Sequence, residues 1–81
     1  MEIRTLFFAT YRDIAGAEEL LVTLPAGASV RDLVHELRAR GTAWQAFPTD
    51  PAAAVNLNYA PLSTPLAAGD EVAFIPPVSG G

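Results

Sequence analysis

The stretch EIRTLFFA is rich in β-forming residues and predicts a strand from about Glu2 to Ala9. Successive side chains of a strand point to opposite faces of its sheet. One face of this strand would carry Ile3, Thr5 and Phe7, and the other would carry Leu6 and Phe8. Because both faces are apolar, we expect a central strand that is either covered on both sides or open to a partner on one.

Two further segments show the same strand pattern, with successive side chains on opposite faces. EELLVTLP predicts a second strand with Leu20, Val22 and Leu24 on one face. EVAFIPP predicts a last strand with Val72 and Phe74 on one face and Ala73 and Ile75 on the other. We expect the first two strands to form an antiparallel pair, and the last to lie beside the first. Between them, AAAVNLNYA predicts a weak hairpin centred on residues 56–58, followed by a loop.

The strongest helical pattern covers residues 30–40. Its apolar side chains recur at i, i+3, i+4 and i+7 and form one stripe: Val30, Leu33, Val34 and Leu37. Ser29 is the predicted N-cap, Asp32 lies in the first turn, and Gly41 is the predicted C-terminal glycine. Two short helical turns are also predicted, one capped by Thr10 and ended by Gly16, the other carrying Trp44 and Phe47 and ended by Pro48.

Composition narrows the class of protein. The 81 residues, 51% of them hydrophobic, fit one small domain with a thin core. There is no cysteine and one histidine, His35, which excludes disulfides, a thiolate nucleophile and a metal site built from cysteines or several histidines. The net charge of −4 disfavours nucleic acid and suits basic protein partners. No apolar run approaches the ~20 residues of a membrane span, and the first residues lack a secretory signal, so we expect a cytoplasmic protein.

The side chains offer no convincing active site. His35 is the one candidate base, and a solvated position on the helix explains it. Asp70 and Glu71 adjoin each other, but Gly-Asp before a strand is ordinary turn chemistry. The isolated glycines form no phosphate-binding loop. All five basic residues are arginines, so the N-terminus is the only amine that an activated acyl group on this chain could attack.

The segment PPVSGG is the most distinctive stretch of the chain. Pro76 and Pro77 lack a backbone N–H and fix φ, so they stop the sheet ladder and stiffen the exit from the last strand. Gly80 and Gly81 add no side chain, so they could pass a narrow channel and leave the terminal carbonyl open to attack. Ordering such a segment costs ~1–2 kcal/mol per residue. We therefore expect a domain over residues 1–75 and a flexible tail over residues 76–81 that reaches roughly 20 Å.

Three motifs give the chain a family resemblance: LFFA at residues 6–9, AVN at residues 54–56, and GDEVAFIPPVSGG at residues 69–81. Together they resemble the small subunit of molybdopterin synthase over the whole chain. The resemblance implies the ubiquitin-like β-grasp fold, an α+β arrangement in which a mixed sheet packs on one main helix. It also implies a sulfur carrier, a non-catalytic subunit with no bound cofactor or metal.

The resemblance implies a role for each tail residue. An activating enzyme would use ATP to join AMP to the Gly81 carboxylate, and sulfur would then replace AMP to give a thiocarboxylate. In the pocket of the synthase large subunit, this group would give its sulfur to cyclic pyranopterin monophosphate during molybdenum cofactor biosynthesis. Gly80 would thread the channel together with the residues before it: Ser79, Val78, Pro77 and Pro76.

The resemblance also implies a docking patch on the second face of the sheet, formed by Phe8, Tyr59 and Ile75. This patch would contact both the activating enzyme and the large subunit, with two carriers flanking a large-subunit dimer. Many members of the family have a smaller aliphatic residue where Tyr59 stands, and LNYAPLSTPL departs from their more polar run. An ordinary core position is the alternative for Phe8 and Ile75.

Three other functions stay open. The chain could carry sulfur for thiamine or for tRNA thiolation, since carriers for those pathways share the fold and the Gly-Gly end. It could be a ubiquitin-like modifier joined to target lysines through Gly81. It could also be an interaction domain whose tail is idle.

Overall fold

The computed structural model describes residues 1–78. In chain order the elements are β1 (Glu2–Phe7), α1 (Ala9–Ala15), β2 (Glu19–Thr23), α2 (Val30–Arg38), a 3-10 helix (Thr42–Ala46), β3 (Ala52–Val55), β4 (Asn58–Ala60) and β5 (Glu71–Ile75). None of the helices between residues 1 and 78 has the length and apolar content needed to cross a membrane.

The five strands form one mixed sheet in the order β2-β1-β5-β3-β4. β1 pairs with β2 in antiparallel fashion and with β5 in parallel fashion. β3 runs antiparallel to both β5 and β4. The predicted pairings of the first strand with the second and the last are therefore confirmed. With its one main helix, the sheet forms the expected α+β architecture, the ubiquitin-like β-grasp.

The core lies between one face of the sheet and α2. The four apolar side chains of the predicted helical stripe are all fully buried. They pack with Phe7, Phe47 and Phe74, whose rings make edge-on and stacked contacts with centroids 5.2–6.2 Å apart. Aromatic pairs at such distances add to the stability gained from burying their area. The alternation predicted for β1 is confirmed, since Ile3, Thr5 and Phe7 all face this core.

The start of α2 is fixed by the predicted cap. The Asp32 backbone N–H donates to the Ser29 hydroxyl at 3.3 Å, and the Asp32 carboxylate accepts from the Ser29 backbone N–H at 2.8 Å. This reciprocal arrangement satisfies two donors that a helix N-terminus leaves free. The N–H and hydroxyl of Ser29 also lower the pKa of the Asp32 carboxyl group.

Two predicted caps are wrong. The N-cap of α1 is Phe8, not Thr10, because the helix already begins at Ala9, directly after β1 ends at Phe7. Gly41 does not end α2, whose C-cap is Ala39; it begins the 3-10 helix instead. The Arg38 side chain donates to the carbonyls of Gln45 and Phe47, which ties the 3-10 helix against the end of α2. The αL cap predicted at Gly16 is confirmed, with φ of 70°.

Candidate functional site

One face of the sheet is left uncovered by α2, and we call it the open face. Its central row crosses the sheet from Leu6 to Ala73, then to Ala54 and Tyr59, as the strand registers show. Leu6, Ala73 and Ala54 are partly exposed and apolar. The sheet therefore presents a continuous apolar strip to its surroundings, which small single-domain proteins rarely do without a partner.

The three side chains predicted to dock a partner all lie on the open face. Tyr59 ends the central row and is 77% exposed. Ile75 pairs with Ala52 beside that row and is partly buried. Phe8 follows β1 in extended conformation, is 47% exposed, and lines a shallow concavity with Leu6. Neither Phe8 nor Ile75 belongs to the buried core, so both are accessible to a partner protein.

A polar row borders the apolar strip. The Arg4 guanidinium lies 2.9 Å from Glu19 on β2 and 2.9 Å from Glu71 on β5, and so bridges three strands. Hydrogen bonding and charge from Glu19, with a smaller effect of Glu71, raise the pKa of Arg4. These groups are exposed, so the ion pairs add little to stability. Their effect is to neutralise two acids at the border of the apolar surface.

The AVN and GD motifs meet at the far end of this polar row. The Asn56 side-chain amide donates to the Asp70 carboxylate at 3.0 Å, and its oxygen accepts from the Glu71 backbone N–H at 3.0 Å. The second Asp70 carboxylate oxygen accepts from the Ala67 N–H at 2.8 Å. Bonds from Ala67 and Asn56 lower the pKa of Asp70. The turn role predicted for Asp70 is thus confirmed, while sequence reasoning missed the clamp that Asn56 forms.

The β3–β4 hairpin predicted around residues 56–58 is confirmed, but the positive φ angles at its tip are a second feature that sequence reasoning missed. Its two connecting residues, Asn56 and Leu57, have φ of 49° and 74°. This geometry suits a two-residue hairpin turn, in which the second position favours glycine. Leu57 occupies that position and is 89% exposed. The departure of LNYAPLSTPL from the family pattern, noted in the sequence, was the available signal.

The C-terminal segment begins at Pro76, where β5 ends. β5 lies between β1 and β3 in the sheet. Pro76 is partly buried, Pro77 is exposed, and Val78 is 93% exposed. These residues form one wall of a groove of about 460 Å³, whose remaining lining comes from β5, β3, α1 and the loop before β3: Ile75, Ala52, Tyr11, Pro48, Asp50 and Pro51. Ser79, Gly80 and Gly81 lie outside the described residues, and their roles stay predictions.

The described side chains include no cluster suited to metal binding. Within residues 1–78, no group of three or more His, Cys, Asp or Glu side chains could hold a metal ion. His35 is exposed on α2, on the side of the molecule away from the open face. Its position agrees with the solvated helix residue that the sequence predicts.

The fold and the open face define a class of small β-grasp protein, and the comparisons identify the family. The sequence matches the ThiS family over residues 5–81, and the chain belongs to that family. It is 39% identical to the molybdopterin synthase sulfur carrier subunit of Escherichia coli (strain K12), over 98% of this chain and 99% of that relative. It is 37% identical to the subunit of that name from Chlamydomonas reinhardtii, over all of both chains. These matches support a role as a sulfur carrier.

Solved structures agree with the fold. SAMP1 from Haloferax volcanii matches all of this chain, and all of its own, with a TM-score of 0.86 and 28% identity. A structure from Helicobacter pylori, described as a complex of subunits 1 and 2 of molybdopterin-converting factor, matches all of both chains with a TM-score of 0.71. Its 24% identity supports the shared fold alone.

Proposed function

We propose that this protein is the sulfur carrier subunit of molybdopterin synthase and that the Gly81 carboxylate carries the sulfur. The observation that carries the proposal is the full-length similarity to curated proteins of that name, at 31–39% identity. The family match also extends to residue 81, so the Gly-Gly pair falls inside it.

The chemistry proceeds in three steps. The Gly81 carboxylate attacks the α-phosphate of ATP in the activating enzyme, which releases pyrophosphate and leaves an acyl adenylate. A sulfur nucleophile then attacks the acyl carbon and displaces AMP, which gives the thiocarboxylate. In the synthase, sulfur passes to cyclic pyranopterin monophosphate, and water restores the carboxylate of Gly81. In the first step the carrier supplies only the attacking carboxylate, the activating enzyme supplies the active site, and the carrier binds no cofactor of its own.

The composition supports this chemistry. A chain without cysteine cannot hold sulfur as a side-chain persulfide, so the terminal carboxylate is the available attachment point. A chain without lysine also cannot lose the acyl adenylate to a side-chain amine of its own or of another copy. Both properties suit a protein whose end is repeatedly activated.

The open face suits the two partners of such a carrier. Phe8, Tyr59 and Ile75 would dock first the activating enzyme and later the synthase large subunit. β5 runs through the sheet to the C-terminal segment, so a protein seated on the open face has the start of that segment beside it. Two carriers on a large-subunit dimer would form a heterotetramer, and a cytoplasmic location remains the expectation from the sequence.

The decisive experiment is the intact mass of the protein after incubation with its activating enzyme, ATP and a sulfur source. The mass should rise by the difference between one sulfur and one oxygen, and fragmentation should place the change at Gly81. Adding the large subunit and the pterin precursor should return the mass to its starting value. A Gly81→Leu variant is the control, since a side chain beside the carbonyl obstructs adenylation. An unchanged mass, or a change elsewhere in the chain, contradicts the proposal.

A protein-modifier function is the second candidate. The chain shares its fold with SAMP1, whose name stands for small archaeal modifier protein 1, at a TM-score of 0.86. In that case Gly81 would form an isopeptide bond with lysines of target proteins. Extracts of cells that express a tagged chain would then contain higher-mass conjugates, and a chain lacking Gly81 would form none. A carrier for thiamine or tRNA thiolation would instead load sulfur normally and fail to transfer it to the pterin precursor.

A further inference from the structure

The groove beside the C-terminal segment has a defined chemical character. Apolar and proline side chains make up most of its lining, and Tyr11 contributes an aromatic ring. The Tyr11 ring is 6% exposed and packs on Phe47 with ring centroids 4.8 Å apart. Such walls can cover the aliphatic part of a long side chain.

Asp50 is the charged group in this groove. Its side chain is exposed, and no ion pair within residues 1–78 involves it. The arginines near an acid or a carbonyl are engaged elsewhere: Arg4 with Glu19 and Glu71, Arg12 with Glu18, Arg40 with Glu36, and Arg38 with two backbone carbonyls. The described part of the chain therefore supplies no cation to Asp50.

Tyr11 adds a second polar group at the same place. Burial, and then the negative charge of Asp50, raise the pKa of the Tyr11 hydroxyl, so the phenol stays protonated over the physiological range. A protonated phenol and a carboxylate together can engage the N–H donors of one cationic side chain, the carboxylate directly and the phenol through its oxygen. The groove thus combines apolar walls with an unpaired acid and a phenol oxygen.

We propose that this groove receives a lysine or arginine side chain of the synthase large subunit. The aliphatic stem would lie against Pro48, Pro51 and Pro76, and the cationic end would meet Asp50. Because Pro76, Pro77 and Val78 form one wall, a protein that encloses the C-terminal segment also covers this groove. The contact would hold the base of the segment while its end lies in the partner's pocket.

This inference rests on the proposed function, since the large subunit is its partner. Relatives of this chain are named as sulfur carrier subunits of molybdopterin synthase, which favours the large subunit of that enzyme as the occupant. A transient contact with the activating enzyme is the alternative occupant, and the experiment separates the two.

The test is calorimetric titration of the large subunit, and separately of the activating enzyme, with four forms of the carrier: wild type, Asp50→Asn, Tyr11→Phe and Asp13→Asn. Asp13→Asn is the matched control, because it removes the same charge from an exposed acid outside the groove. Asp50→Asn should weaken binding about ten- to a hundredfold, as expected for the loss of a charge-assisted contact at an interface. Tyr11→Phe should weaken it by a smaller factor, and Asp13→Asn should leave it close to wild type.

Ionic strength gives a second readout. Binding of the wild type should weaken as salt rises, and the salt slope of Asp50→Asn should be shallower than that of Asp13→Asn. Equal affinities and equal slopes for the two variants would overturn the inference while leaving the carrier function intact. If Asp50→Asn weakens binding to the activating enzyme and not to the large subunit, the choice of the large subunit as occupant is overturned. A wild-type chain that does not bind the large subunit at all would overturn the proposed function itself, and this inference with it.

Discussion

Phe7 and Phe8 are adjacent in the chain, yet they serve opposite sides of the sheet. Phe7 is 1% exposed, and its ring lies 5.5 Å from the ring of Trp44 in the core. Phe8 is 47% exposed on the open face. The period of a strand produces this separation, because β1 continues in extended conformation through Phe8 before α1 begins. One phenylalanine therefore stabilises the fold, and its neighbour is available for binding.

Replacing each phenylalanine in turn with alanine should show that Phe7 contributes to the stability of the fold and Phe8 to the binding of the large subunit. Phe7→Ala should lower the free energy of unfolding by ~3–5 kcal/mol, the usual cost of emptying a buried aromatic site. Phe8→Ala should cost less than ~1 kcal/mol, because the ring is already half in solvent, but it should weaken binding of the large subunit. Urea unfolding and calorimetric titration measure the two effects. A collapse in the melting temperature of Phe8→Ala would show that the ring belongs to the core.

Replacing Asn56 should loosen the hairpin that carries Tyr59. Asn56→Ala removes two side-chain hydrogen bonds, to Asp70 and Glu71, and places alanine at a φ of 49°. Together these losses should cost about 1–2 kcal/mol. Asn58→Ala is the control, because its side chain makes a single bond, to the Asn56 carbonyl. Equal unfolding free energies for the two variants would mean that the clamp contributes nothing.

The backbone conformation at Leu57 indicates that a substitution at this position should stabilise the protein. Its φ of 74° is costly for a branched side chain, and at 89% exposure the side chain makes little compensating contact. Leu57→Gly should therefore raise the free energy of unfolding by about 1 kcal/mol. Leu21→Gly, at an exposed strand position with ordinary backbone, should lower it instead. If Leu57→Gly destabilises the protein, the side chain has a structural contact that its exposure hides.

The regular elements could be predicted from the sequence because they depend on local periodicity. The apolar stripe of α2, the cap formed by Ser29 and Asp32, and the two faces of β1 all follow from residues close together in the chain. The position of β5 beside β1 followed from their shared apolar character, while its parallel direction came from the structure. Thr10 was a poor guide because the backbone is extended only as far as Phe8, which is the N-cap, so that α1 already begins at Ala9.

The features that escaped prediction depend on contacts between distant residues. Asn56 reaches Asp70 across 14 positions, and no local pattern marks that bond. The groove at the C-terminal segment combines Tyr11, Asp50 and Pro76 from three separate parts of the chain. The proposed docking residues Phe8, Tyr59 and Ile75 came from the family resemblance. The register of the sheet placed Tyr59 and Ile75 on one face, and the extended backbone at Phe8 placed its ring there too.

Acid should destabilise the protein partly through Asp32. Its pKa is lowered in the folded state, chiefly by the Ser29 backbone N–H, so its stabilising effect is complete above the unfolded pKa of ~3.9. That effect is lost as the pH falls through the lower, folded pKa. The unfolding free energies of wild type and Asp32→Asn should therefore differ near neutral pH and converge in strong acid. Parallel curves for wild type and Asp32→Asn would contradict the role of the cap.

Removing Gly81 should abolish sulfur transfer while leaving the fold intact. Within residues 1–78 the buried core contains no residue beyond Phe74, so the free energy of unfolding should stay within ~0.5 kcal/mol of wild type. The truncated chain keeps Phe8, Tyr59 and Ile75, and it should therefore still bind the large subunit and compete with the intact carrier in a synthase assay. Circular dichroism, urea unfolding and the assay test these three expectations on the same preparation. Sulfur transfer by the truncated chain would show that the carboxylate of Gly81 is not the carrier group, whereas a chain that folds but cannot compete would move the main contact from the open face to the C-terminal segment.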